Sequence, residues 1–277
     1  MADAPGRTTV PIVVRWSERI ETTAVVRGPG ASEGSDRTSD STAFYTRAMS
    51  DAFSAGDPVT SIDQAVDRMS KIAAALPTAD GVACFNRMYL GVTQEVGSRI
   101  SVGFFKEPGF METVDVQFAN LYFEAVSASP DNTPLAWRPL VNARSDSTIH
   151  PMQFALAGMN AHINHDLPIA VVRTCAQLGL SPTSGPLHSD YQKIDAILDQ
   201  AEQTVRQSFE TQSAEEKDVK VEGELDALGD WSIAGARDIA WGSALVLWEC
   251  RNKARAEAEV IEGLAKAVAR SSKLLLK

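Results

Sequence analysis

The sequence predicts a mostly α-helical protein, a single irregular, orthogonal bundle of roughly eight helices behind a flexible N-terminal extension. Three observations lead there. Aromatic residues are sparse, 7% of 277 residues, while alanine is plentiful, which disfavours a β-sandwich. From Ser61 onward apolar residues recur at spacings of three and four, the period of a helix with one buried face. No strand–helix–strand alternation and no internal repeat interrupts that pattern.

Residues 1–58 read as an extension. Short β-like runs at 10–14 and 22–26 precede Arg27 and a tract of Gly, Ser, Asp and Thr. Such a tract buries too little apolar surface to offset its ordering entropy. The helical domain is expected over 59–277. Ser61 is placed to N-cap the first helix, with Gln64 three residues on, and Pro77 closes it. Further helices are expected over about 81–96 and 109–126, then a short one over 135–142 after a Pro-rich turn. The most apolar helix runs over 151–178, with Pro151 suited to its first turn and a kink or break expected near 166–167, ahead of Pro168. A long helix is expected over 188–209, a charged loop over 213–222, and a final helical region over 231–275 that breaks near Asn252.

Acidic residues outnumber basic ones, 36 to 26, for a net charge of −10. No basic stripe marks a nucleic-acid partner. No apolar run is long enough to span a membrane, and no secretory signal is visible. Cys84, Cys175 and Cys250 form no CxxC and read as buried thiols, so a reducing cytoplasm is the expected compartment.

The chemical clue is histidine. All four, His150, His162, His165 and His188, fall within 39 residues. On a helix His162 and Asp166 lie one turn apart on neighbouring rows, amid apolar neighbours. A carboxylate buried there needs a partner or a metal. Helical bundles build metal sites from such pairs on facing helices. The first expectation is therefore a metal-dependent enzyme, hydrolytic or of lyase or cyclase type, acting on a small metabolite. His162, Asp166 and His188 would hold Zn²⁺ or Fe²⁺, Asp190 would be a fourth ligand or general base, Arg237 would orient an anionic group, and Tyr191 could serve as an acid. The alternatives are a metal-free cyclase or ligand-binding protein using His162–Asp166 as an acid/base dyad in an aromatic-lined pocket, and a structural protein without chemistry. If buried, Arg237 needs a carboxylate partner, which Asp166, Asp190 or Asp195 could supply. Trp241 and Trp248 read as a core stripe.

The segments 81–93, 118–126, 137–140, Phe154-ALAGMNAHINHDLP and Ala236-RDIAWGSALVLW resemble a family of actinobacterial proteins known only as a domain of unknown function. The resemblance spans about 60–275. It implies one helical domain and no nameable activity. The family pattern keeps His162 and Asp166 but varies at 165, which implies that His165 is not an essential ligand. The His165-Asp166 dipeptide also resembles that of HD-type metallohydrolases, although the preceding histidine lies too close and Pro168 follows at once.

Overall fold

A computed structural model describes residues 57–198 and 233–277. The expectations for 1–56, for the far half of the 188–209 helix and for the charged loop lie outside these residues. All described residues belong to one unit, Ser39–Lys277.

The described residues are helical, with no strand among them. Ser61 caps α1 (Ile62–Ala75) by accepting the Gln64 N–H, and the Gln64 side chain reaches back to the Thr60 N–H. Asp80 caps α2 (Gly81–Ser101) through the N–H groups of Val82 and Ala83, and its other oxygen accepts from Arg144 Nε at 2.8 Å. Helix α2 runs a turn beyond the expected end. Helix α3 (Pro108–Ser127) follows, then the short α4 (Arg138–Ala143).

His150 proves to be the N-cap of α5 (Pro151–Ala161). Its Nδ1 accepts from Met152 N, and the Gln153 side chain accepts from the His150 N–H. The expected break before Pro168 does not occur. The helix instead widens into a π turn, His162–Asp166, closed by a bond from Leu167 N to the His162 carbonyl, and continues as α6 (Leu167–Leu178). Pro168 falls in the first turn of α6, where the widened turn absorbs the hydrogen bond it cannot make. Gly179, at φ 66°, ends α6 in the left-handed conformation.

Helix α7 is only Leu187–Gln192. The expected continuous helix from 188 is interrupted at Lys193, whose ammonium is drawn to Asp190 Oδ1 and the Phe104 carbonyl. The last region breaks where expected, between α8 (Ile233–Cys250) and α9 (Ala254–Leu275). With α5, the π turn and α6 counted as one continuous helix, the described residues form eight helices. None is long and apolar enough to cross a membrane.

The π turn sits at the centre. Helices α3, α8 and α9 all pack on it, while α2 crosses α5 and α3 and α8 flank α6. Buried polar side chains fix these crossings. Asn86 on α2 donates to the Met69 carbonyl of α1 and accepts the Tyr122 hydroxyl of α3. Asn160 donates to Ser271 and Ser272 on α9. At Gly158 the α2–α5 crossing is so close that a Cβ would lie 2.5 Å from Phe85 Cγ.

Candidate functional site

The π turn places His162 and Asp166 on one side, both about 2% exposed. Asp166 is an acceptor for three N–H donors. Oδ2 accepts Trp137 Nε1 at 2.8 Å and His162 Nδ1 at 3.0 Å, and Oδ1 accepts His165 Nδ1 at 2.7 Å. Burial pushes the Asp166 carboxyl up, but the side-chain hydrogen bonds from His162 and His165 outweigh it and hold it below the ordinary 3.8. Asp166 is therefore ionised, and each imidazole donates Nδ1–H to it. Burial lowers the His162 pKa, and Asp166 offsets this only in part. His162 is thus a neutral imidazole with its lone pair on Nε2. That nitrogen is buried without a hydrogen-bond partner.

The ring is held by aromatics. It stacks on Phe118 at 3.3 Å between centroids and 5° between planes, and Tyr89 meets its edge at 4.4 Å. Phe85, Tyr122 and Trp137 complete the shell. One side of this cluster opens on a cavity of about 90 Å³, enclosed by α2, α3, α5 with the π turn, and residues 191–198 and 233–237. Its walls are aromatic, aliphatic and methionine-rich, with Met88, Met111, Met152 and Met159 among them.

Two lining side chains carry buried polar atoms without a partner: His162 Nε2 and Asp115 Oδ2. The buried Tyr89 hydroxyl, also on the lining, has Thr93, one turn further along α2, as its side-chain neighbour. Buried, unpartnered polar atoms are rare in native proteins and call for an explanation. Burial raises the Asp115 carboxyl from 3.8 to about 7. Burial, then the Asp115 charge, drives the Tyr89 phenol well above 10, so it remains a hydrogen-bond donor.

The sequence-predicted residues divide between this cavity and the scaffold. His162, Arg237 and Tyr191 line the cavity. Arg237 is paired with Asp195, its Nε donating at 2.6 Å, and its Nη2 donates to the Tyr191 carbonyl. The Tyr191 hydroxyl in turn donates to the Arg237 carbonyl. Both polar groups are thereby committed to closing the cavity floor. Asp190 is not a wall residue. It is fully buried, with Oδ2 on the Glu107 N–H and Oδ1 on Lys193, so it ties α7 to the start of α3. His188 stacks on Trp241 at 4.7 Å and does not join His162 and Asp166. Among the described residues no group of three or more His, Cys, Asp or Glu is placed to hold a metal ion.

Asp115, Thr93 and the Trp137 partnership were not singled out from the sequence. For Asp115 a signal existed. The run Val114-Asp-Val-Gln-Phe-Ala is apolar on several faces, which marks a helix with little solvent side and a carboxyl forced inward.

The sequence profile of a family of unknown function, DUF5995, matches residues 62–277, and the chain belongs to that family. Comparison with curated proteins and with solved structures gives no match.

Proposed function

We propose, for this member of a family of unknown function, that the cavity binds a small, largely apolar molecule and that His162, oriented by Asp166, accepts a proton or hydrogen bond from it. The observation that carries this reading is that two side chains with a buried, unpartnered polar atom, His162 and Asp115, line one apolar cavity. Apolar walls with a few placed polar groups are the ordinary composition of a small-molecule site. Perturbed titratable groups in such a place point the same way. The Asp166–His162 arrangement supplies a base by elementary means. The carboxylate fixes the Nδ1–H tautomer, and the lone pair is left on Nε2. This is the metal-free alternative of the sequence reading. Zinc or iron bound through His162, Asp166 and His188 has less support, because all three donors to Asp166 are protein N–H groups and His188 stands with Trp241.

The test is ligand-observed NMR of the full chain against a fragment set, with elemental analysis of the same preparation. We expect apolar fragments of about six to eight heavy atoms to bind, and Val92→Phe, which fills the cavity from α2, to abolish binding without unfolding the protein. A fragment set that yields no hit blocked by Val92→Phe would overturn the reading. So would one equivalent of zinc or iron that is lost in His162→Ala.

A further inference from the structure

We propose that the cavity selects an organic ammonium, a small primary or secondary amine on an apolar body about the size of a benzene ring; this rests on the small-molecule reading above. The argument starts from charge. Asp115 lines the cavity, is 8% exposed, and has one oxygen with no partner. Among the described residues no cation pairs with it. The groups facing the cavity from the other elements are Tyr89 on α2, His162 on the π turn, Tyr191 on α7 and Arg237 on α8. Of these, His162 is neutral and the Arg237 guanidinium is taken by Asp195 and the Tyr191 carbonyl. A carboxyl in apolar surroundings either stays protonated or acquires a cation. Burial alone raises its pKa to about 7, so near neutral pH it is balanced between those two states.

The remaining chemistry suits an ammonium better than the alternatives. An ammonium N–H can donate to Asp115 and also to His162 Nε2, which offers only a lone pair. An anionic ligand would be repelled by the Asp115 charge. A hard metal ion would need about six oxygen ligands from walls made mostly of carbon and sulfur. The step is pure association: the amine arrives protonated, and Asp115 releases its proton to solvent as the ion pair forms.

The experiment compares benzylamine with the near-isosteric benzyl alcohol by titration calorimetry on the full chain at pH 5.5 and pH 8. Benzylamine keeps its charge over this range while Asp115 ionises, so its affinity is expected to rise at least tenfold from pH 5.5 to 8. Benzyl alcohol should bind more weakly at pH 8 and show no such rise. Asp115→Asn should remove the amine preference and its pH dependence, with a cooperative urea transition as the folding control. Equal affinities, or an amine affinity indifferent to pH, would overturn the ammonium assignment and leave the cavity reading standing. Binding of neither probe, with no other fragment bound, would overturn the cavity reading itself.

Discussion

Replacing Asp166 by alanine removes the acceptor shared by Trp137 Nε1, His162 Nδ1 and His165 Nδ1. Trp137 is fully buried and its indole has no other use for that hydrogen. Each buried donor left unsatisfied costs about 1–3 kcal/mol, and two of the three are deeply buried, so Asp166→Ala should lose about 2–6 kcal/mol. That is a large share of the roughly 5–15 kcal/mol that holds a domain folded. Asp166→Asn is the sharper case. Trp137 can only donate, so the amide must keep its oxygen at the Oδ2 position, where His162 also donates. The NH₂ then faces His165, whose Nδ1 has to become the acceptor. His162 should keep its tautomer, His165 should change, and the loss should be only about 1–2 kcal/mol. Urea unfolding followed by tryptophan fluorescence measures the two losses, and long-range ¹⁵N correlation spectra of the imidazoles read the tautomers. An asparagine variant as unstable as the alanine one, or one in which His162 moves its proton to Nε2, would refute the shared-acceptor argument.

Asp115→Asn should stabilise the free protein at pH 8. A carboxyl raised from 3.8 to about 7 costs the fold roughly 4 kcal/mol once ionised. The amide still leaves polar atoms short of partners, so a gain of about 1–3 kcal/mol is expected. The sign follows from linkage. The raised carboxyl stabilises the fold relative to the chain below pH 3.8, and that advantage is lost as pH rises to about 7. The variant's margin should therefore grow through this window in denaturation curves and level off above it. Gly158→Ala should destabilise despite alanine's helix propensity gain of about 1 kcal/mol, because overpacking costs about 1–3 kcal/mol and the new Cβ meets Phe85 Cβ at 2.7 Å as well as its ring. Thermal unfolding checks it, and Phe85→Leu should recover part of the loss in a double variant. Asp190→Ala should cost about 1–3 kcal/mol in urea unfolding, since it removes the acceptor of both the Glu107 N–H and the Lys193 ammonium.

What could be read in the sequence was what short-range chemistry dictates. Ser61, Pro77, Pro151, Gly179 and the break near Asn252 bound helices through caps and steric limits that act within a few residues. His162 and Asp166 were legible as a pair because helical spacing joins them. The interruption at Lys193 of the helix expected over 188–209 was not legible, because the Lys193 ammonium is held by the Phe104 carbonyl, 89 residues away. His188 and Asp190 were grouped with His162 by closeness in sequence, whereas the fold gives one to Trp241 and the other to Glu107. Asp115 and Tyr89 come to line the same cavity as His162 only through the packing of α2 and α3 on the π turn, and no local pattern encodes that meeting.

The π turn also sets how the family can vary in length. It holds one residue more than an α turn between the same two ends. Deleting one residue among 162–166 would return the segment to regular α periodicity and leave α6 in place, because the widened turn alone absorbs the extra residue. The contacts of α6 with α3 and α8 would stay in register. The loss would be local: the turn that sets His162 beside Asp166, and the room it makes for Pro168 in the first turn of α6. A family member one residue shorter here should therefore keep the fold and lose the His162–Asp166 pairing.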